Sequence, residues 1–328
     1  MESKTLLSFV IPCYRSQNTI LKVVDEIERT VKTRDEYDYE IVLVNDCSPD
    51  GVWSVISELA GRNSHVTAID LAKNFGQHSA LLAGYNHCSG DYVISLDDDG
   101  QTPADELYKL VDKMAEGYDV VYATYGEVHQ NVIRRLGSDF AKAMSDYMFD
   151  IKGSKEKGSS YYIARKFIIE EMIKYKNPYP YMAGLVLRAT RNIGTVPVTH
   201  RDRMEGKSGY SFKGLINLWL NGFTAFSVKP LRLGSYVGFF TAAAGLLYAL
   251  FVIIRKLFID PGIEAGWSSI VAIMMIIGGV IMIMLGLIGE YIGRIYICIN
   301  NSPQYVIKEI RSQKSTAKET EKTDNRSL

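Results

Sequence analysis

The sequence has no excess of charge of either sign and few of the residues that build metal or redox centres. Its 328 residues carry 37 Lys and Arg against 37 Asp and Glu, so the formal net charge is zero. Nucleic-acid-binding proteins usually show a basic excess, which makes this class a poor fit. The four cysteines include no Cys-x-x-Cys pair, which favours reduced thiols in a cytosolic domain over disulfides or a zinc site.

The motifs of several common enzyme classes are also missing. No predicted strand is followed by Gly-x-Gly-x-x-Gly, which removes support for a dinucleotide-binding fold, and Gly206-Lys207-Ser208 lacks the upstream glycine of a phosphate-binding loop. The five histidines show no metal-ligand spacing, and no Ser-His-Asp or Cys-His arrangement is evident. His200 is the one histidine that we consider as a ligand contact, because Arg201 and Arg203 stand beside it.

Long apolar runs are confined to the C-terminal third. Residues 233–254 and 267–289 are each long enough to cross a bilayer as a helix, since about 20 apolar residues match its hydrocarbon core. We therefore expect a two-helix transmembrane hairpin. Its interior has almost no ionisable residue, which favours an anchor and oligomer contact over a channel or transporter.

Basic residues beside these runs predict their orientation. Lys229 and Arg232 precede the first run and Arg294 follows the second, which places both ends in the cytosol. Arg255 and Lys256 count against this orientation unless their side chains extend to the outer interface. The N-terminal apolar stretch is too short for a secretory signal, so we expect a multi-pass protein of the cytoplasmic (inner) membrane with a cytosolic domain.

Before the apolar runs, short β-branched segments alternate with helical patterns. Alternation of continuous apolar strands with helices predicts an α/β domain with a mostly parallel sheet covered on both faces. Ligands of such folds bind beyond the carboxyl ends of the strands. The predicted strands are 7–11, 40–44, 66–71, 92–96 and 120–123, and the predicted helices are 18–31, 52–61, 79–86 and 105–116.

Carboxylates follow two of these strands. Asp97, Asp98 and Asp99 come directly after the fourth strand, and their mutual repulsion would be relieved by a divalent cation that bridges them to phosphate oxygens. Acidic residues at this place would equally favour the start of the next helix. Asp46, after the second strand, is compatible with a helix-capping turn and with a ligand contact. On the residues alone, these interpretations stay open.

Seven short motifs occur in a fixed order along the chain. Together they resemble family-2 inverting glycosyltransferases of the GT-A fold, and in particular the polyprenyl-phosphate branch, which includes dolichol-phosphate mannose synthases and bacterial undecaprenyl-phosphate glycosyltransferases. The resemblance extends to about Lys308. The motifs are Val10-Ile11-Pro12-Cys13-Tyr14, Val44-Asn45-Asp46-Cys47-Ser48-Pro49-Asp50, Lys73-Asn74-Phe75-Gly76-Gln77, Leu96-Asp97-Asp98-Asp99-Gly100-Gln101-Thr102-Pro103, 200–208, Lys229-Pro230-Leu231-Arg232 and 289–296.

This resemblance, with the apolar pattern, predicts four regions. Residues 1–210 would form a Rossmann-like GT-A catalytic domain with a mostly parallel sheet. Residues 211–231 would form an amphipathic helix in the bilayer interface, or alternatively one packed on its own domain or a neighbouring subunit. Residues 232–296 would form the hairpin. Residues 297–328 would form a cytosolic tail, largely disordered after residue 311.

The resemblance also implies roles for individual residues. Asp97 and Asp99 would hold Mg²⁺ or Mn²⁺, with Asp99 in direct contact, and Gln101 would lie near the sugar or the phosphates. Arg203 would reach the pyrophosphate. Arg134 also fits an exposed basic helix face. The residues implied at the nucleotide are Pro12, Tyr14, Asp46, Lys73, Asp98 and Arg203, and those implied at the acceptor phosphate are Arg134, Arg135 and Ser138.

Three positions depart from the family pattern. Tyr14 is followed by Arg15-Ser16 where relatives often have Asn-Glu, which removes a base-contacting carboxylate. The stretch 123–126 lacks the arginine that many members place after the fifth strand, and Ser159-Ser160-Tyr161 stands where others carry an aspartate. We therefore expect an acceptor-phosphate site with fewer cations, and a sugar different from glucose or mannose.

The implied activity is transfer of a sugar from a nucleotide sugar, favoured to be UDP-linked, to polyprenyl (undecaprenyl) phosphate on the cytosolic leaflet, for cell-envelope glycan modification. A homotetramer is implied and no nucleic-acid partner is expected. The lipid phosphate is already an ionised nucleophile, so no strong base is needed. A processive polysaccharide synthase would need a Gln-x-x-Arg-Trp motif and more spans, which are absent. A non-catalytic nucleotide-sugar sensor or scaffold would use the same binding residues and remains an alternative.

Overall fold

The computed structural model describes residues 4–125, 159–178, 180–199, 201, 229–258, 266–300 and 302–313. The chain divides into two compact units. The first consists of Met1–Leu215 together with Ser302–Leu328, and the second consists of Ile216–Asn301. The first unit therefore combines segments from before and after the second, and part of the predicted tail, 297–328, belongs to it.

A mixed, mostly parallel sheet lies at the centre of the first unit, as the sequence predicted. All five predicted strands are present. Strands β1 (Thr5–Cys13), β2 (Tyr37–Asn45), β3 (Val66–Leu71) and β4 (Tyr92–Ser95) are parallel, and β5 (Val120–Tyr125) is parallel to β7 (Ile193–Val198). Strand β6 (Tyr162–Arg165) is antiparallel to β4 and β5, and β8 (Ile307–Arg311) is antiparallel to β3. The order is β7-β5-β6-β4-β1-β2-β3-β8.

Helices cover the sheet and confirm the four helical predictions. Along α1, the buried residues recur every three or four positions and form one apolar face. Helices α5 and α6, like β6 and β7, had not been predicted. The helices of this unit are α1 (Ile20–Val31), α2 (Val52–Arg62), α3 (Gln77–Tyr85), α4 (Leu107–Met114), α5 (Lys166–Ile173) and α6 (Met182–Ala189), with a short 3₁₀ turn at Ala104–Glu106 before α4.

Helix α3 packs closely on the sheet and is buried from Ser79 to Tyr85. At Gly84, an added Cβ would lie 2.3 Å from Val10 Cγ1 on β1 and 3.2 Å from Val44 Cγ2 on β2. Glycine is therefore required for this approach, because protein interiors have no spare volume for a methyl group. The close packing fixes the start of α3 relative to the ends of β1 and β2, where the candidate site lies.

Strand β8 is a feature that the sequence did not predict. Ala68, Ile69 and Asp70 on β3 pair with Arg311, Ile310 and Glu309, and the register then shifts at Leu71, which pairs with Ile307. Five residues are too few to show a clear strand period, and their partner lies more than two hundred positions earlier. The disorder expected after residue 311 falls, beyond Gln313, outside the described residues.

The second unit contains two long helices, α7 (Lys229–Phe258) and α8 (Trp267–Ile299). Both extend beyond the apolar runs from which they were predicted. Within the described residues, one stretch is long and apolar enough to cross a membrane, namely Ile276–Ile299 with a mean hydropathy of 2.0, and none of it is buried. Helix α7 contains a shorter apolar stretch, Tyr236–Gly245. The segment expected at the bilayer interface, 211–228, lies outside the described residues.

Candidate active site

The candidate site lies where several strands end at one edge of the sheet. Because β1, β2 and β4 are parallel, the residues after them, Tyr14, Asp46 and Asp97, come to the same edge. Strand β6 runs the opposite way and starts opposite the end of β4, with Tyr162 paired to Ser95. Ser160, which precedes β6, therefore also lies at this edge. The topology thus brings most of the predicted nucleotide and metal residues together.

Asp97 is held by two side chains of the protein. Its Oδ1 accepts a hydrogen bond from Gln77 Nε2 at 2.9 Å, and its Oδ2 accepts one from Ser160 Oγ at 2.5 Å. Gln77 is the first residue of α3, so the close packing of that helix sets the position of its amide. Hydrogen bonds to an ionised carboxylate are about twice as strong as neutral ones. The carboxylate of Asp97 is therefore fixed in orientation before any ligand binds.

Asp98 connects the acidic loop, residues 97–99, to the loop after β1. Its Oδ2 accepts a 2.8 Å hydrogen bond from the backbone N–H of Tyr14, and its carbonyl accepts a 2.7 Å bond from Thr19 Oγ1. The pKa of Asp98 is raised to about 6, mainly because the group is buried; hydrogen bonds oppose this shift, and the neighbouring carboxylates of Asp97 and Asp99 contribute to it. Asp98 therefore acts within the structure as a link between two loops.

Asp99 and Gln101 form the turn that leads away from β4. Asp99 Oδ1 accepts a 3.0 Å bond from the backbone N–H of Gln101, and Gly100 adopts a positive φ of 74° that favours glycine. The Gln101 side chain donates to the carbonyl of Arg201 at 3.3 Å. Arg201 therefore lies within reach of the acidic loop, two positions before the predicted pyrophosphate contact Arg203.

Ion pairs hold Arg201 in this place. Its guanidinium contacts Glu26 Oε1 at 2.8 Å and Asp105 Oδ1 at 2.7 Å. Desolvation lowers the pKa of Arg201, but the hydrogen bond to Glu26 and the charges of Glu26 and Asp105 outweigh it, so the pKa is raised overall. A guanidinium that binds two separate carboxylates links α1 to the segment before α4 and fixes the backbone carbonyl that Gln101 contacts. No sequence motif assigns this role to Arg201.

Asp46 holds the loop that starts α3. Each of its carboxylate oxygens accepts a hydrogen bond from a backbone N–H group, one from Phe75 at 2.7 Å and the other from Gly76 at 2.8 Å. The residue is 3% exposed. Burial raises its pKa, and the two hydrogen bonds oppose this shift. Gly76 has a φ of 88°, where a Cβ would be strained. Asp46 thus positions the loop that contains Lys73, in addition to its predicted place at the nucleotide.

The other predicted nucleotide residues differ in exposure. Pro12 is buried within β1, whereas Tyr14 is 44% exposed and offers its ring to solvent. Lys73 is exposed, with its ammonium 4.9 Å from the centre of the Phe75 ring. Tyr14 and Lys73 can therefore reach a ligand directly, and Pro12 can only shape the backbone beneath it.

Several predicted residues lie outside the described part of the chain. The acceptor-phosphate residues Arg134, Arg135 and Ser138, the pyrophosphate contact Arg203, and His200 are among them. Their roles stay predictions. Gln77 and Ser160 are site residues that sequence analysis did not assign. Gln77 is the last residue of one of the family motifs, and Ser160 stands in a stretch that departs from the family pattern. Either feature could have indicated from the sequence that the residue belongs to the site.

The donor set fits a magnesium or manganese ion. Mg²⁺ is usually held by one or two carboxylates together with phosphate oxygens, and not by a complete cage of protein ligands. Among the described residues, no group of three or more His, Cys, Asp or Glu side chains is arranged around a common point. The carboxylates of Asp97 and Asp99 therefore fit an ion that is held by two carboxylates together with the phosphate oxygens of a bound nucleotide.

Comparison with known proteins decides the family. A sequence profile described as "Glycosyl transferase family 2" matches residues 8–175, and one described as "GtrB C-terminal hairpin" matches residues 229–295. This chain belongs to glycosyltransferase family 2. The first profile covers most of β1, strands β2 to β6 and the acidic loop, and the second covers α7 and most of α8.

Relatives of this family-2 glycosyltransferase align along nearly its whole length. It is 35% identical over 326 residues to an undecaprenyl-phosphate 4-deoxy-4-formamido-L-arabinose transferase of Klebsiella pneumoniae (strain 342), with 96% of each chain covered. It is 32% identical over 310 residues to the uncharacterized glycosyltransferase YkcC of Bacillus subtilis (strain 168), covering 92% of this chain and 93% of the other. The resemblance to the undecaprenyl-phosphate branch is thereby confirmed.

A solved structure shows the same fold. Glucosyl-3-phosphoglycerate synthase of Mycobacterium tuberculosis, crystallised with Mn²⁺ and UDP-glucose, matches with a TM-score of 0.51 at 18% sequence identity. The match covers 67% of this chain and 77% of that one. The GT-A fold and the mostly parallel sheet are therefore confirmed.

Proposed function

We propose that this protein transfers a sugar from a UDP-linked donor to a polyprenyl phosphate, undecaprenyl phosphate in particular, with inversion at the anomeric carbon. The observation that carries the proposal is the placement of Asp97 and Asp99 at the end of β4, beside the loops that contain Tyr14 and Lys73. A site of this type offers carboxylates for a metal–diphosphate complex and an aromatic ring for a base. The full-length relatives named undecaprenyl-phosphate transferases support the acceptor.

The metal would be Mg²⁺ or Mn²⁺, held by Asp99 with Asp97, and it would stabilise the charge of the departing nucleoside diphosphate. The protein residues orient the donor. Asp97 is held by Gln77 and Ser160, and the Gln101 side chain is held by the Arg201 carbonyl. This preorganisation lowers the cost of aligning the donor for attack.

The acceptor needs orientation more than activation. A lipid monophosphate is ionised at neutral pH, so its oxygen can attack the anomeric carbon without a general base. One displacement inverts the configuration at that carbon. Arg134, Arg135 and Ser138 would hold the lipid phosphate, because a guanidinium fork matches phosphate geometry. The absence of an aspartate at Ser159-Ser160 is compatible with this base-free reaction.

The lipid acceptor requires a place at the membrane. We expect α7 and α8 to cross the cytoplasmic membrane as a hairpin, with the catalytic unit in the cytosol. Phe239, Phe240 and Met282 are among the large apolar side chains of these helices that are about two-thirds exposed. Such surfaces need lipid or protein around them. The matched hairpin profile and the basic residues Lys229 and Arg294 support this arrangement.

Donor turnover tests the proposal. Full-length protein in detergent is incubated with undecaprenyl phosphate, a panel of UDP- and GDP-sugars, and Mg²⁺ or Mn²⁺. We expect nucleoside diphosphate release that depends on the lipid, is abolished by EDTA, and falls about 100-fold or more in Asp99→Ala. Asp25→Ala is the matched control, because Asp25 is an exposed carboxylate on α1.

Two outcomes would contradict the proposal. Turnover that is indifferent to EDTA and to Asp99→Ala would remove the metal role. Nucleotide binding without turnover of any donor on the panel would instead favour the non-catalytic sensor or scaffold. Mass measurement of the lipid product identifies the sugar in the successful case.

A further inference from the structure

A lysine from the C-terminal strand neutralises a buried carboxylate of the central sheet. Lys308 Nζ on β8 lies 3.1 Å from Asp70 Oδ2 on β3, and the Asp70 side chain is 5% exposed whereas that of Lys308 is 66% exposed. The contact with Asp70 raises the pKa of Lys308. A buried carboxylate is costly unless it is paired and hydrogen-bonded, so Asp70 depends on its partners.

An irregularity in β8 directs this lysine toward Asp70. Glu309 pairs with Asp70 and Ile307 pairs with Leu71, so Lys308 is the extra residue of a β-bulge. In a regular strand, neighbouring side chains point to opposite faces of the sheet, and Lys308 would face away from the side shared by Asp70 and Glu309. Bulges redirect side chains and occur often beside active sites. The contact therefore results from a specific local geometry.

The network continues from Asp70 to the end of β2. Asn45 Nδ2 donates to Asp70 Oδ1 at 2.7 Å, and Asn45 Oδ1 accepts the backbone N–H of Ser48 at 3.0 Å. An ionised carboxylate can only accept hydrogen bonds, so Asn45 must direct its NH₂ group to Asp70. Its carbonyl oxygen is then directed to Ser48. The charge of Asp70 thereby sets the orientation of the Asn45 amide.

Ser48 passes the constraint to the loop after β1. Its Oγ accepts a 2.8 Å hydrogen bond from the backbone N–H of Arg15 and donates a 2.6 Å hydrogen bond to Asp50 Oδ1. Arg15 and Cys47 have φ values of 59° and 48°, which non-glycine residues rarely adopt. Such conformations persist where surrounding contacts hold them. The network thus ends beside Tyr14 and Asp46, the residues expected at the nucleotide.

We propose that Lys308 is a positioning residue for the nucleotide-binding loops, acting through Asp70, Asn45 and Ser48. The proposal rests on the proposed function for the identity of the ligand. The segment that follows the two long helices would then influence donor binding through this chain of contacts, although it is remote in sequence from the loops that it orders.

The test compares four variants of the full-length protein. Lys308→Met removes the charge at similar size, Lys308→Gln keeps a hydrogen-bond donor without the charge, and Lys308→Arg keeps both. Arg311→Met is the matched control, because Arg311 is an exposed cation of the same strand that pairs with Glu309. Binding of UDP and of GDP with Mn²⁺ is measured by calorimetry, donor and lipid KM by turnover, and backbone order by hydrogen exchange of the peptide that contains Ser48.

We expect Lys308→Met to weaken nucleotide binding about threefold to tenfold, as loss of a partly exposed ion pair to a buried group would do. The donor KM rises by the same factor, while kcat and the lipid KM stay within about twofold. Exchange at the Ser48 peptide becomes faster. Lys308→Gln shows a smaller effect, and Lys308→Arg and Arg311→Met behave as the wild type.

Wild-type nucleotide affinity and unchanged exchange in Lys308→Met would overturn the inference. A lower melting temperature with parallel changes in donor and lipid KM would also overturn it, because that pattern indicates general destabilisation. If the wild-type protein binds neither nucleotide, the proposed function fails instead, and the exchange rates still decide whether Lys308 orders the Ser48 loop.

Discussion

At the scale of single residues, the acidic loop is held by side chains that lie far from it in the sequence. Asp97 receives Gln77 from the start of α3 and Ser160 from the segment before β6. The hydroxyl of Ser160 and the amide of Gln77 each donate to a different oxygen of this carboxylate, so the two side chains together set its orientation.

Removal of the Ser160 hydroxyl should slow the proposed metal-dependent sugar transfer. For Ser160→Ala we predict about a tenfold lower kcat/KM and a higher Mn²⁺ concentration for half-maximal activity, since hydrogen bonds to charged groups contribute about 1.5–3 kcal/mol. Turnover is measured across a Mn²⁺ titration. Ser57→Ala on α2, which removes a bond to the Ser54 carbonyl, is the control. An unchanged Mn²⁺ dependence in Ser160→Ala would show that Asp97 is oriented without Ser160.

At the scale of elements, the site depends on how closely α3 approaches β1 and β2. The helix carries Gln77 at its start, and Asp46 holds the loop before it. The strands and helices of this region were predictable because each has a continuous apolar run or an apolar face. Strands β6 and β8 were not, since each is stabilised by antiparallel pairing with a strand far away in sequence.

Two glycine substitutions test this packing. Gly84→Ala should lower the free energy of unfolding by about 1–3 kcal/mol, because the new methyl group would overlap Val10 on β1. Gly61→Ala on α2 should be neutral or stabilising by up to about 1 kcal/mol, because nothing lies within 4 Å of its added Cβ. Both are measured by denaturant unfolding. Equal effects of the two substitutions would contradict the tight contact of α3 with the sheet.

At the scale of the whole molecule, the catalytic unit is completed by residues that follow the long helices. Strand β8 covers the edge of β3, which would otherwise expose unpaired backbone groups. The division predicted from the sequence ended the catalytic domain at residue 210, because a change from polar to apolar composition marks a boundary only along the chain. The pairing of β3 with β8 reunites segments on both sides of the apolar helices.

Two truncations test the role of this strand. A chain that ends at Asn301 lacks β8, and we predict that its melting temperature falls by about 5 °C or more and that it aggregates, since β3 becomes an exposed strand edge and Asp70 loses its ion pair with Lys308. A chain that ends at Gln313 keeps β8 and should have the same melting temperature as the full-length protein. Scanning calorimetry and size-exclusion chromatography in detergent compare them. Equal stability of both truncations would show that β8 contributes nothing to the unit.

The sequence by itself determined the family, the mostly parallel sheet, the two long helices and the carboxylates at the end of β4. These features depend on local patterns or on short motifs, which are readable along the chain. Only the tertiary structure decided which groups hold those carboxylates, that Arg201 is fixed by Glu26 and Asp105, and that Lys308 reaches Asp70. Such contacts join residues separated by tens to hundreds of positions, and strand order and helix packing bring them together.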